Sequence, residues 1–178
     1  MEEKLYIGWD EYTEIIEKLC IQIDKSGYQP TVLIGIMRGA GLAIDLMSRI
    51  FKLKTAYVTV SSYHGAKIQD QQGDITFARH ISTIAEKNDF NRPLLVDDLS
   101  DTGLTMNKTI EWLKRYDPIK DYIKDIKTAC LWKKKKSTFN PDFCAVHLKS
   151  NPWLLQCFES PWEELTIDDL KKKHKKKG

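Results

Sequence analysis

The stretch from Pro93 to Thr105 constrains this chain more than any other. A short apolar run, Leu94-Leu95-Val96, is entered through a proline and closed by two adjacent carboxylates, Asp97 and Asp98. Such a run suits a strand buried on both faces of a parallel sheet. Ser100, Asp101, Thr102, Gly103, Leu104 and Thr105 follow as a tight loop, and Met106, Ile110 and Leu113 then recur at helical spacing. Strand, tight loop and helix in that order form the unit from which open parallel α/β sheets are assembled.

The loop also carries chemistry. Gly103 lets the backbone approach an anion closely, and the neighbouring amides with the hydroxyls of Thr102 and Thr105 can ring a phosphate at a helix N-terminus. A carboxylate cannot bind that phosphate, so Asp97 and Asp98 need another target, such as a diol or a hydrated metal ion. A phosphate at one end and a diol at the other describe a ribose phosphate. An Asp/Ser/Thr helix cap accounts for one polar residue, not for three aspartates around Ser100 and Thr102. The Walker A spacing is absent.

Read along the chain, strands alternate with helices. Helix is expected from about Asp10, with Tyr12, Ile15, Ile16, Leu19 and Ile23 on one stripe and Gly27 as its stop. Thr31–Ile36 reads as a buried strand that Met37-Arg38-Gly39-Ala40-Gly41 turns into a helix, Leu42 to Phe51. The third glycine of a dinucleotide-binding turn is missing there, since Ile44 holds its place. Arg38 and the Gly39–Gly41 amides suit several phosphate oxygens at once. Thr55–Ser62 is a β-branched strand, and residues 64–74 are polar and glycine-containing, as a lid requires. A return to sheet is expected near Ile75, with Phe77, Ile81 and Ile84 packing afterwards. The central helix is expected over 104–116. Further strands are expected at 125–132 and 141–146, and Thr166 is placed to cap a last helix, Ile167 to Lys173. All the candidate loops fall at the carboxyl ends of strands, where open α/β sheets bind ligands.

The form Asp97-Asp98-x-x-Asp101-Thr102-Gly103-x-Thr105 resembles the 5-phosphoribosyl 1-pyrophosphate (PRPP) motif of type I phosphoribosyltransferases. Within that family it resembles the 6-oxopurine branch, most of all the bacterial xanthine-guanine type. The opening Tyr6-Ile7-Gly8-Trp9-Asp10 and the C-terminal Trp153 with Pro161-Trp162-Glu163 resemble the same branch. The resemblance implies the α/β fold of that family: a parallel sheet flanked by helices, with a small hood from the N- and C-terminal segments. It implies one phosphoribosyltransferase domain over residues 1–165, with a core of about 28–135 and a hood from about 1–9 and 140–165. Residues 166–178 would be a terminal helix and basic tail.

The resemblance also distributes roles. Asp97 and Asp98 would hold the ribose hydroxyls, and Ser100, Thr102, Gly103, Leu104 and Thr105 the 5′-phosphate. Asp101 would be the catalytic base or the partner of purine N7. Arg38, Gly39, Ala40 and Gly41 would form the pyrophosphate loop, entered through a cis peptide at Met37–Arg38. Ser62 and Tyr63 would open a lid in which Lys67 is either a pyrophosphate contact or a solvated lysine. Lys133, with the register open among Lys133–Lys136, would meet the 6-oxo group. Trp153, with Leu154 beside it, would stack on the base or pack the hood. Mg²⁺ would be the cofactor, held mainly by substrate oxygens with Asp98, and Glu163 would either touch a second ion through water or be a surface glutamate leading a helix.

Composition sets bounds. A chain of 178 residues with net charge +3 and pI about 8.5 is too mildly basic to announce a nucleic-acid binder. The positive excess gathers at Lys133–Lys136 and in the run from Lys171. Four scattered cysteines without a C-x-x-C pair, an acidic N-terminus and the lack of a long apolar run point to a cytoplasmic protein with no membrane partner. The expected function is Mg²⁺-dependent transfer of the phosphoribosyl group from PRPP to guanine, xanthine or hypoxanthine in purine salvage, by a homo-dimer or homo-tetramer. The alternatives are a PRPP-sensing, nucleic-acid-binding regulator on the same fold, or a phosphoribosyltransferase for another base.

Overall fold

The computed structural model describes residues 3–62, 75–159 and 162–175. In chain order the elements begin β1 (Lys4–Tyr6), α1 (Trp9–Lys25), β2 (Val32–Met37), α2 (Gly41–Phe51), β3 (Thr55–Ser62), β4 (Ile75–Phe77) and β5 (Ser82–Thr83). They continue β6 (Pro93–Ser100), α3 (Leu104–Leu113), β7 (Lys127–Lys133), β8 (Phe143–His147), β9 (Trp153–Leu155) and α4 (Ile167–Lys175). The chain forms two compact units, one of Ile15–Asn151 and one joining Met1–Glu14 to Pro152–Gly178.

The larger unit is built on a sheet of order β4-β3-β2-β6-β7-β8, with β5 also paired to β3. The five strands β3, β2, β6, β7 and β8 run parallel, and among the described residues only β4 and β5 pair antiparallel. The inner strands are covered on both faces and are accordingly apolar throughout: Val32 to Ile36, Leu94 to Val96 and Ala129 to Trp132 are buried. Val32, Ile34, Ile36, Ala56, Val58 and Leu95 form one core with Met106 and Leu113 of α3 and with Phe90. Because the strands are parallel, the turns leaving β2, β6 and β7 emerge at one edge of the sheet, with β6 between the other two.

In the smaller unit β1 and β9 pair parallel, with Leu5 opposite Leu154 and Tyr6 opposite Leu155. The Trp153 amide donates to the Glu3 carbonyl at 2.7 Å, and Ile7 to Leu155 at 3.0 Å. Tyr12 and Phe158 meet edge to face, centroids 5.4 Å apart. Thr166 caps α4 reciprocally with Asp169: the Asp169 amide donates to Thr166 Oγ1 at 3.2 Å, and the Thr166 amide to Asp169 Oδ2 at 3.1 Å.

Three sequence expectations need correction. The central strand does not close at Asp97 and Asp98. It continues to Ser100, because β7 keeps pairing alongside it, with Leu99 opposite Trp132 and Ser100 opposite Lys133. The helix after it ends at Leu113 rather than 116, and turns carry the chain on. Ile84 does not pack, being 86% exposed, whereas Phe77 and Ile81 lie against the core. Among the described residues no helix is long and apolar enough to cross a membrane.

Candidate active site

β6 delivers two carboxylates to the edge of the sheet and then turns into the loop that starts α3. Asp97 is buried, and its Oδ1 accepts the Asp98 amide at 3.0 Å. Burial and the neighbouring Asp98 carboxylate together hold the Asp97 carboxyl well above the usual range. The Asp98 carboxylate, beside that of Asp97, also lies close to Gly39 of the loop leaving β2. A side chain at position 39 would run into that carboxylate and force it to shift, so the two loops meet closely there. The Met37–Arg38 peptide that enters the β2 loop is cis, as the family resemblance implies. Arg38 is exposed, and Ala40 is buried beneath the turn.

Gly103 adopts φ +89°, the left-handed region that glycine tolerates, and stands at the N-terminus of α3. A side chain there would strike Phe139, whose backbone nitrogen would lie 2.8 Å away. The loop is therefore roofed by the segment following β7. Three latches hold that roof in place. The Lys134 amide donates to the Ser100 carbonyl at 3.0 Å, and the Thr138 amide to the Thr102 carbonyl at 3.1 Å. The buried hydroxyls of Ser100 and Ser137 lie 2.7 Å apart. Thr102 Oγ1 accepts the Leu104 amide at 3.3 Å, and Thr105 begins the first turn of α3, its carbonyl accepting from Thr109 Oγ1 at 2.8 Å.

Asp101 lies in an environment opposite to that of Asp97. Its Oδ1 is 2.9 Å from Lys134 Nζ and 3.0 Å from Lys136 Nζ. Partial burial alone would raise its carboxyl, but the two ammonium groups outweigh that and hold it below the usual carboxylate range. Lys133 is directed elsewhere: its Nζ donates to Asn140 Oδ1 at 2.6 Å.

The structure thus brings together Arg38, Gly39, Ala40 and Gly41 from the β2 loop with Asp97, Asp98, Ser100, Asp101, Thr102, Gly103, Leu104 and Thr105. Lys133 joins them at the end of β7. The Ser100 hydroxyl is engaged by Ser137, whereas Thr102 is exposed. Ser62 ends β3, while Tyr63 and Lys67 lie outside the described residues. Trp153, Leu154 and Glu163 belong to the smaller unit, where Trp153 is 52% exposed and Leu154 is buried.

Sequence reasoning treated Lys134 and Lys136 as alternative registers for Lys133, or as part of a basic patch, and did not place them on Asp101. Nothing in a run of four lysines marked which would meet Asp101: β7 ends at Lys133, and the next residues form a turn in which the Ser137 amide donates to the Lys134 carbonyl at 3.1 Å. Ser137, Thr138 and Asn140 carried no motif at all.

Comparison with known proteins finds relatives over most of the chain. A family model described as phosphoribosyl transferase domain matches residues 8–164. The hypoxanthine-guanine phosphoribosyltransferase of Aquifex aeolicus (strain VF5) is 29% identical over 147 residues, covering 79% of this chain and 77% of that protein. Its namesake from Bacillus subtilis (strain 168) is 30% identical over 118 residues, covering 64% of this chain and 62% of that protein. Among solved structures, a purine phosphoribosyltransferase from Pyrococcus horikoshii superposes with a TM-score of 0.71 at 25% identity, covering 89% of this chain and 95% of the other.

Proposed function

The chain belongs to the phosphoribosyl transferase domain family, and on that premise we propose that it transfers the phosphoribosyl group of PRPP to a 6-oxopurine. The bond from C1′ to the pyrophosphate oxygen breaks, a bond from C1′ to a purine nitrogen forms, and that nitrogen loses its proton. The observation that carries this reading is the meeting of two loops. Gly39 of the β2 turn lies against the Asp98 carboxylate of β6, so a site for a leaving pyrophosphate adjoins a site for a ribose diol.

Each residue has a task within this reading. Arg38 and the amides of Gly39–Gly41 bind the pyrophosphate and stabilise the charge it gains on departure. Asp97 and Asp98 orient the ribose, which supplies much of the rate in a reaction that depends on alignment. The turn from Thr102 to Thr105 holds the 5′-phosphate at the N-terminus of α3. Asp101 accepts a hydrogen bond or proton from the base. Lys133, released from Asn140, donates to the 6-oxo group, since an ammonium has donors and no acceptor.

The donor set fits Mg²⁺, a hard cation that keeps water and takes few protein ligands. Asp98 is the residue that would share it with substrate oxygens. Such an ion, when bound, would neutralise charge on the pyrophosphate.

The test is to incubate the protein with Mg²⁺, PRPP and a panel of bases, and to measure the nucleotide formed. At least one of guanine, hypoxanthine and xanthine should be used efficiently and adenine negligibly. Lys133→Ala should raise KM for the base by on the order of 10- to 100-fold, the span of a hydrogen bond to a charged group, and move KM for PRPP far less. Adenine emerging as the best substrate would overturn the reading.

A further inference from the structure

Resting on the functional reading above, we propose that Lys134 is a positioning residue for the reaction: it holds the Asp101 carboxylate in the orientation in which that group meets the base, while Lys136 is a partner that can be released.

Both ammonium groups sit on the same oxygen, Asp101 Oδ1, at 2.9 and 3.0 Å. Their surroundings differ sharply. The Lys134 side chain is 7% exposed and that of Lys136 is 46% exposed. A buried ammonium that left its carboxylate would have no water to replace it, so Lys134 has nowhere else to go. Lys136 can exchange Asp101 for solvent at little cost, as half-exposed ion pairs do. One negative charge faces two positive ones, so Asp101 remains neutralised after Lys136 departs.

The backbone around Lys134 is built to keep it there. Its amide is bonded to the Ser100 carbonyl, the residue directly before Asp101. Ser137 binds the Ser100 side chain, and Thr138 binds the Thr102 carbonyl on the other side, by its amide and by Oγ1 at 3.2 Å. Asp101 is thus bracketed at both neighbours by the segment that carries Lys134. The Lys136 amide is held separately, by Asn151 Oδ1 at 2.8 Å. With Oδ1 occupied by the buried lysine, Oδ2 is the oxygen assigned to the base. The charges acting on Asp101 are Lys134 and Lys136 from the segment after β7. Asp97 and Asp98 precede it on β6, and Lys133 at the end of β7 is turned to Asn140. None of the sequence motifs assigns Lys134 this part.

The experiment compares steady-state kinetics of Lys134→Met, Lys134→Arg and Lys136→Gln, each in the wild-type and in the Asp101→Asn background, with Mg²⁺, PRPP and whichever 6-oxopurine the panel selects. Lys134→Met should lower kcat on the order of 10- to 100-fold, the span of a hydrogen bond to a charged group. Its acid limb should move to higher pH, because Asp101 loses its permanent cation. In the Asp101→Asn background the same substitution should change kcat less than about threefold, because residues acting through one another are not additive. Lys136→Gln should cost less than about fivefold, as expected of a half-exposed pair.

Three results would overturn the proposal: a wild-type kcat in Lys134→Met, a loss that persists undiminished in Asp101→Asn, or a larger loss from Lys136→Gln than from Lys134→Met. Should Lys134→Met fail to fold in a melting experiment, Lys134→Arg takes over. It keeps the charge but displaces it, and its kcat must fall in the wild-type background and not in Asp101→Asn. A wild-type protein that forms no nucleotide from any base overturns the functional reading and this inference together. An active wild type with an unaffected Lys134→Met overturns this inference alone.

Discussion

The end of β6 and the loop it enters carry aspartates of opposite character. Asp97 is buried, has the Asp98 carboxylate as neighbour, and is held well above the usual carboxyl range. Asp101 is half-exposed, meets two ammonium groups, and is held below that range. The same side chain, on one short stretch, thus favours the neutral form in one place and the ionised form in the other. Burial pushes both carboxyls up: for Asp97 it is the largest effect and the Asp98 carboxylate adds to it, whereas for Asp101 the two ammonium groups reverse it. A carboxylate kept ionised next to the loop is available to a base.

Breaking the loop side should have the larger effect. Asp101→Asn is expected to lower kcat on the order of 10²–10⁴-fold, the span of a positioned acid or base, while leaving PRPP affinity nearly intact. Steady-state kinetics with a PRPP titration check both parts, and a near-wild-type kcat would remove Asp101 from its role.

Breaking the strand end should act on binding instead. Asp98→Ala removes the carboxylate that lies against Gly39 and should weaken PRPP binding by about 10- to 100-fold, as loss of a hydrogen bond to a charged group does. Calorimetric titration with Mg²⁺ and PRPP reads this directly. Unchanged affinity would separate the two loops whose meeting supports the proposed function.

The contrast is sharpened by stability against pH, measured on the free protein without added metal. Asp97 has a folded pKa above its unfolded value, so the native state binds more protons and loses stability as pH rises from the unfolded pKa, near 4, through the raised one. Asp97→Asn should therefore raise Tm at neutral pH, with the gain shrinking as pH falls toward 4. Asp101 has a depressed folded pKa, so its contribution is present above the unfolded value and is lost as pH falls through the folded one. Asp101→Asn should lower Tm at neutral pH, with the deficit closing in acid. Two Tm shifts of the same sign at neutral pH would refute the opposed environments.

The smallest effect is expected far from both aspartates. Removing residues 171–178 takes away lysines whose described ion pair, Lys171 with Asp168, is exposed on both sides. Such pairs contribute about 0–1 kcal/mol, so kcat should change less than about twofold. A large loss of activity would place the tail in the working protein.

Much of the fold follows from features that are local in sequence. Apolar runs such as Val32–Ile36 and Leu94–Val96 have only one economical setting, between covering layers of a parallel sheet, and the turns after them must then share one edge. Gly103 before a helical stripe, and Gly39 after a buried strand, could be read as backbone requirements because glycine's tolerance is intrinsic to the residue. The sequence therefore determined the order of elements, the edge at which the loops gather, and the aspartates, hydroxyls and glycines available there.

The tertiary structure decided where those groups point. Ser100 turns its hydroxyl to Ser137, Thr102 offers its carbonyl to Thr138, and Lys134 rather than Lys133 faces Asp101. Each partner comes from more than 30 residues further along the chain, and reaches its place only once β7 has paired with β6 in a particular register. The turn that follows β7, closed by the Ser137 amide donating to the Lys134 carbonyl at 3.1 Å, then brings Lys134 and Lys136 onto one carboxylate. Electrostatic environment is a sum over neighbours in space, so the opposed states of Asp97 and Asp101 could not be read from a stretch in which both are simply aspartate.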